Sequence, residues 1–253
     1  MVITYPEAVR WEKTVTGDNT VDFGKNNAAR LRSSLPKLET SMISCVVENL
    51  NDEHIVWFEP WYQTTIGSKN NPKISAIHAT TIGKQADYPY HILIIREHDT
   101  VVGAIIFSVR TSLISIAYRV FNPTWNHTQL QAGPALIGEY FINHFCNSNG
   151  FTRLSHGKDR NPYGLNANIG LALFKLSVGC RVTLPTGTTQ TLTLETDTLA
   201  ADALVMEQPN EGTAVSHAYL IGSAETLAKY SALQKYQHVI AIDYIERAHD
   251  LLE

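Results

Sequence analysis

The sequence predicts an α+β fold in which helices flank a mixed, mostly antiparallel central sheet of about seven strands. Three apolar runs, residues 91–97, 101–109 and 113–121, follow one another with only short polar turns between them. Such spacing is typical of an antiparallel meander, and runs that are apolar on both faces predict a sheet covered on each side. From residue 132 onward the pattern becomes helix, strand, helix, strand, so helices must pack against this sheet.

Composition sets the scale of the fold. The chain has 253 residues, of which 44% are apolar and 17% are charged, as in ordinary folded soluble proteins. This length fits one large domain, or one domain with a sizeable extension. We expect residues 1–89 to form an N-terminal extension and residues 90–253 to form the core with a C-terminal helix.

Charge and cysteine usage exclude several classes of protein. The net charge is −4, and no basic block occurs, so a duplex nucleic-acid partner is not expected. No apolar run approaches the roughly 20 residues of a membrane span, and no secretory signal is recognised at residues 1–7. Three widely spaced cysteines fit neither a disulfide framework nor a zinc site, which favours reduced thiols in a cytoplasmic protein.

The first part of the chain carries weak signals. Residues 1–40 are polar and read as irregular. Leu38, Met42 and Leu50 recur at helical spacing, which predicts a helix over residues 36–51. The aromatic-rich segment 52–62 is interrupted by Pro60, which we expect to begin a short helix, since the first helical position tolerates proline.

The second half is more regular. A helix is predicted over residues 134–149, with Gly150 after it, and another over residues 168–178, with Gly179 after it. A strand is expected between them at residues 151–155. Further strands are predicted at residues 180–184, 189–194 and 203–207, followed by a long helix capped by Ser223 that continues through Leu233 and beyond.

The helix start at residues 132–135 is the most informative functional feature. Gly133, Pro134 and Ala135 give a first turn without bulky side chains, so its backbone N–H groups are open to an anion such as a pyrophosphate. The simpler alternative is an ordinary helix start with proline at its first position. The nucleotide-binding motifs G-x-x-x-x-G-K-[ST] and G-x-G-x-x-G are absent, as are H-E-x-x-H and G-x-S-x-G.

The order of elements over residues 90–185 resembles the GNAT acyltransferase fold, and within it the branch related to the Fem-type peptidoglycan aminoacyltransferases. The residues that carry this resemblance are Gly157-Lys-Asp-Arg-Asn-Pro-Tyr163, Gly170-Leu-Ala-Leu-Phe-Lys175 and Gly179. Gln129-Leu-Gln-Ala-Gly-Pro-Ala135 only approximates the Gln/Arg-x-x-Gly-x-Gly/Ala loop of the superfamily.

The resemblance implies an N-acyltransferase that moves an acyl group from a thioester, acetyl-CoA or another acyl-CoA, to an amine of a small metabolite or an amino sugar. The strand around Tyr118 and Val120 would pair with the pantetheine arm. Lys175 is expected as a solvated or phosphate-facing cation. The pyrophosphate would lie against the helix start, formed by Gln131, Ala132, Gly133, Pro134 and Ala135.

Acyl transfer needs a base for the ammonium proton and an acid for the leaving thiolate. His156 is the candidate base, Asp159 could orient or replace it, and Tyr163 stands where the family often places the proton donor. The alternatives are a strand-end histidine, turn-forming residues before Pro162, and a packing tyrosine. On the acceptor side, Glu59 is the candidate amine anchor and Trp61 and Tyr62 are candidate pocket walls; the alternative is that these aromatics belong to the core.

Two other functions remain open at this point. Transfer from aminoacyl-tRNA, as in the Fem relatives, disagrees with the acidic net charge and the short chain. A non-catalytic acyl-binding or partner-binding module, for example one that binds an acyl carrier protein, would explain the imperfect loop at residues 129–135.

Overall fold

The computed structural model describes residues 1–16, 23–67, 77–84, 87–187 and 189–247. Its α-helices are α1 (Lys25–Ser34), α2 (Asp52–Tyr62), α3 (Ile77–Thr80), α4 (Pro134–Ser148), α5 (Ile169–Ser177) and α6 (Ala224–Lys229). Its strands are β1 (Val2–Pro6), β2 (Ala8–Thr14), β3 (Ile43–Asn49), β4 (Tyr90–Glu97), β5 (Thr100–Arg110), β6 (Leu113–Phe121), β7 (Arg153–Arg160), β8 (Arg181–Thr183), β9 (Thr191–Glu195), β10 (Ala203–Met206), β11 (His217–Gly222) and β12 (Ala241–Glu246).

The largest sheet has seven strands in the order β3-β4-β5-β6-β7-β2-β8. Pairs β3–β4, β4–β5, β5–β6 and β2–β8 are antiparallel, and β6–β7 is parallel. Two smaller sheets are described, β10-β11-β12 and β1-β9. The predicted α+β class with a mostly antiparallel seven-stranded sheet is therefore confirmed, as is the meander β4-β5-β6.

By contact density the chain divides into two compact units, which we call the split unit (Met1–Glu12 with His156–Glu253) and the continuous unit (Lys13–Ser155). The expected functional division after residue 89 differs from these units and stays a prediction. Among the described residues, no helix combines the length and apolar character required to cross a membrane.

The continuous unit has its core on both faces of the meander. On one face α2 contributes Ile55 and Phe58, which pack with Ile92 and Ile106 of the sheet. On the other face α4 lies close to the strands, because a Cβ at Gly138 would stand only 3.1 Å from Ile105 Cδ1 and Phe121 Cε1. Covered faces explain why the runs in β4 and β5 are apolar without alternation.

The split unit has a separate core. Ile3, Tyr5, Ala203, Val205 and Ile221 are buried together between strands β1, β10 and β11. These segments are far apart in sequence, and each strand is too short to show a clear hydrophobic pattern.

Two predictions in the first part of the chain are wrong. Residues 43–49, expected within a helix over 36–51, form strand β3, because β4 offers an open edge that pairs antiparallel with it from Ile43 to Asn49. Pro60 lies inside α2 and does not begin a helix. Helix α2 begins earlier because the Asn51 side chain accepts a hydrogen bond from the His54 amide and the His54 ring accepts one from the Asn51 amide.

Other expectations need correction at the ends of the chain. The described part of residues 1–40 is not irregular, since β1, β2 and α1 lie there. Ser223 does cap a helix, by accepting a hydrogen bond from the Thr226 amide, but α6 ends at Lys229. The chain then continues as the 3₁₀ helix Ser231–Tyr236 and as β12, which pairs with β11 in parallel.

Candidate functional site

Strand β6 has one edge that is only partly paired. Its ladder with β7 joins Leu113, Ile114 and Ser115 to residues 153–155 and ends there. On its other side β6 pairs with β5 as far as Phe121. Within the described part of the continuous unit, residues 116–121 therefore have strand partners on one side only, and Tyr118 and Val120 lie in this segment.

A β-bulge lies at the beginning of this open edge. Phe107 pairs with Ile116 and Ile106 pairs with Tyr118, so Ala117 is an extra residue in β6. A bulge increases the local twist and interrupts the ladder, which turns the strand away from regular pairing. The open edge beyond Ser115 thus begins beside a local backbone irregularity in β6.

The predicted anion site at the start of α4 is occupied in part by a side chain. The Ser34 hydroxyl, which is buried, accepts hydrogen bonds from the amides of Gln131 (3.0 Å) and Ala132 (2.9 Å). Gly133 is the N-cap residue and Pro134 opens the helix. Of the five predicted residues 131–135, Gly133 and Ala135 still have backbone amides that could donate to an anion. The role of the segment in cofactor binding stays a prediction.

Two cations from the α1 region contact the same loop. Arg30 Nε donates to the Gln131 carbonyl at 2.8 Å, and Lys37 Nζ donates to the Gln129 carbonyl at 3.3 Å. Both contacts are exposed, so these groups hold the loop in place while remaining accessible to solvent.

The aromatic residues of α2 pack against the core of the continuous unit. Tyr62 stacks on Phe58 and meets the edge of Tyr118, whose hydroxyl shares a hydrogen bond of 2.7 Å with Thr80. Burial, and next the neighbouring Tyr118, raises the pKa of Tyr62. Trp61 and Tyr62 pack against this core, and their role as pocket walls stays a prediction.

Glu59 faces a different environment. It lines a pocket of about 610 Å³ between α2 and α3, together with Asp52 and His78. His78 Nε2 lies 2.8 Å from Asp52 Oδ1. The structure therefore separates Glu59 from Trp61 and Tyr62, which do not line this pocket.

The split unit brings the predicted catalytic residues together in a buried hydrogen-bonded chain. Trp11 Nε1 donates to Tyr163 Oη (2.5 Å), and Tyr163 donates to Asp159 Oδ2 (2.7 Å). Lys175 Nζ donates to the same carboxylate oxygen (2.7 Å) and to the His156 carbonyl (3.0 Å). We refer to these five residues as the Trp11 chain.

The direction of hydrogen bonding in the Trp11 chain is fixed by chemistry. An indole N–H can only donate, so the Tyr163 oxygen must accept from Trp11 and its own proton must point to Asp159. Tyr163 is fully buried, and burial, with Asp159 as the next cause, holds the pKa of its hydroxyl well above the usual value. Its role as a proton donor stays a prediction.

Lys175 differs from expectation. It is not a solvated cation, because only 3% of it is exposed and its ammonium pairs with Asp159. The His156 ring is likewise buried on β7. His156, Asp159 and Tyr163, predicted as catalytic, and Lys175, predicted to face the cofactor, lie together here, and their roles stay predictions. Trp11, which lies more than 140 residues away in sequence from all four, was not predicted.

No cluster of three or more potential metal ligands occurs among the described residues.

No protein-family model matches the sequence, and no curated protein matches it. Several solved structures do match this chain in fold. FemX aligns with 69% of this chain at a TM-score of 0.52 and 10% identity. The chain has a GNAT-like fold of the FemX type.

Two further structures align more loosely. L-PGS from Bacillus licheniformis covers 69% of this chain with 12% identity and a TM-score of 0.41. A conserved protein of unknown function from Enterococcus faecalis V583, described as a probable N-acyltransferase, covers 76% with 9% identity and a TM-score of 0.38. The GNAT-like chain spans only 59% of FemX, 52% of L-PGS and 39% of the Enterococcus protein.

Proposed function

We propose that the protein is an N-acyltransferase that moves an acyl group from a thioester, acetyl-CoA or another acyl-CoA, to an amine of a small metabolite or amino sugar. The observation that carries this proposal is the open edge of β6 at residues 116–121, within a FemX-like fold. An extended molecule that bears amide groups can add to such an edge as another strand would. The pantetheine arm of coenzyme A has this character.

The reaction requires that the acceptor nitrogen lose a proton and attack the thioester carbonyl. The new C–N bond forms as the C–S bond breaks, and the thiolate takes up a proton. We assign base and acid roles to the predicted residues His156 and Tyr163, with Asp159 orienting the latter through its 2.7 Å hydrogen bond.

The assay is thiol release from acetyl-CoA in the presence of a panel of amino sugars and amino acids. We expect His156→Ala and Tyr163→Phe each to lower turnover by at least ~100-fold. Unchanged turnover in both variants would remove these residues from the mechanism. Calorimetry with coenzyme A at millimolar concentration measures binding directly. An absence of heat would exclude coenzyme A as the donor.

The open β6 edge can be tested with truncated donors. S-acetyl-N-acetylcysteamine retains an amide of the pantetheine arm, whereas S-ethyl thioacetate lacks it. We expect faster transfer from the amide-bearing donor, because only that donor can hydrogen-bond to the strand edge. Equal rates, after correction for intrinsic reactivity without enzyme, would refute a role for the edge.

A second candidate is transfer from aminoacyl-tRNA, which the α1 region favours. The Ser34 hydroxyl accepts hydrogen bonds from two of the amides that were expected to bind a pyrophosphate. Residues 25–37 carry Lys25, Arg30, Arg32 and Lys37 and no acidic residue. Phosphate contacts make affinity fall steeply with salt, so tRNA binding that weakens with added salt and with Arg32→Gln would support this donor. Binding that is insensitive to both would contradict it.

A further inference from the structure

The pocket between α2 and α3 combines size, charge and apolar surface on one helix face. Asp52, Ile55, Val56, Glu59 and Pro60 are spaced so that their side chains share a face of α2, and His78 of α3 closes the other side. The volume, about 610 Å³, lies within the range of small-molecule sites. Neither lysine nor arginine lines this pocket among the described residues.

Glu59 is the charged group in this pocket that lacks a structural explanation. It is half-buried, and its carboxylate makes no hydrogen bond or ion pair with any described residue. Asp52 and the neighbouring Glu53 lie in the first turn of α2, where the helix dipole stabilises acidic side chains. That effect fades within one turn, so it does not account for Glu59.

A backbone acceptor belongs to the same part of α2. Pro60 has no N–H and therefore cannot bind the carbonyl of Val56, four residues earlier in the helix. The Val56 carbonyl thus lacks its usual helical partner. Val56 is 75% exposed, so it offers apolar surface at the open side of the pocket.

We propose that this pocket binds a protonated alkylamine. The ammonium donates to the Glu59 carboxylate and the Val56 carbonyl, because an ammonium carries three donors and no acceptor. The aliphatic chain covers Val56, Ile55 and the Pro60 ring. Asp52, which His78 holds through one oxygen, adds negative charge that attracts a second ammonium. This inference concerns ligand binding and does not depend on acyl transfer.

The probe is 1,5-diaminopentane, titrated into the whole chain at low salt and followed by calorimetry and by NMR shifts of α2 amides. Glu59→Gln keeps the shape and removes the charge, and we expect it to weaken binding about tenfold or more. Glu53→Gln is the matched control, since Glu53 lies on the same helix outside the pocket. 1-Pentanol is the neutral control ligand.

The outcomes are distinct. Binding that Glu59→Gln weakens and Glu53→Gln leaves unchanged supports the site. Equal weakening by both variants would indicate general attraction of the diamine to an acidic helix. Binding of 1-pentanol as tight as that of the diamine would indicate an apolar contact only. Either result, or absence of diamine binding, overturns the proposal. Acyl transfer is measured separately as thiol release, so failure of the proposed function would leave diamine binding at this site unaffected, and failure of diamine binding would leave the thiol-release assay unaffected.

Discussion

The hydroxyl of Ser34 lies 2.9 Å from the amide of Ala132 and accepts its hydrogen bond. Ala132 comes just before the turn that the sequence marked as an anion site. A serine from the end of α1, 98 residues earlier, thus supplies an oxygen where a phosphate oxygen was expected. The contact ties α1 to the start of α4 inside the continuous unit.

Ser34→Ala tests what this contact contributes. Removing the hydroxyl leaves the part-buried amide of Gln131 and the buried amide of Ala132 without an acceptor, which should lower the free energy of unfolding by about 1–3 kcal/mol. If the helix start can hold an anion, added phosphate should restore more stability to Ser34→Ala than to the wild type.

Urea denaturation with and without phosphate provides the measurement for Ser34→Ala. Ser33→Ala is the control, because Ser33 is only half-buried and has no hydrogen bond of the same kind. Equal restoration by phosphate in both variants would argue against an anion site at α4.

Lys175→Met should destabilise the split unit strongly. The variant keeps an apolar stem of similar length but leaves the Asp159 carboxylate, whose side chain is 13% exposed, without its cation. Breaking a buried ion pair in this way costs about 3–5 kcal/mol. Chemical denaturation checks this value, and Lys158→Met is the control because Lys158 is exposed. A loss no larger than that of the control would show that the pair is not important for folding.

The Trp11–Tyr163 contact gives a prediction about stability. Tyr163→Phe removes the acceptor of the Trp11 N–H and a donor to Asp159, and should cost about 1–3 kcal/mol of unfolding free energy. The measurement is thermal unfolding followed by tryptophan fluorescence. Tyr140→Phe, on a half-buried helix position, is the control. Full stability in Tyr163→Phe would contradict a buried hydrogen-bonded chain.

His91 should make the protein less stable in mild acid. Burial, between the rings of Phe107 and Phe145, lowers the pKa of His91 from 6.5. In the unfolded chain the imidazole binds a proton near its ordinary pKa, whereas the folded protein resists protonation. The unfolded state therefore binds more protons below about pH 6.5, and stability falls as the pH falls through that range.

Urea midpoints between pH 5 and 8 check the prediction for His91. His91→Phe should reduce the slope of stability against pH relative to the wild type. An identical slope in His91→Phe and the wild type would show that another group is responsible.

The sequence predicted the elements whose signals are local and strong. The meander β4-β5-β6 and the helices α4 and α5 carry long apolar patterns ended by polar turns or glycine, so their type and order followed from periodicity. His156, Asp159, Tyr163 and Lys175 belong to one strand–turn–helix segment, so their proximity follows from local sequence, whereas their roles in catalysis and cofactor binding stay predictions.

Tertiary structure alone decided the remaining features, because each depends on partners that are distant in sequence. Residues 43–49 become a strand because β4 provides an unpaired edge, against their helical spacing. Ser34 reaches Ala132, and Trp11 reaches Tyr163, across separations that no periodicity can report. The local sequence pattern determines which backbone conformation a segment prefers. Its hydrogen-bond partners and its burial are determined only when distant segments pack together.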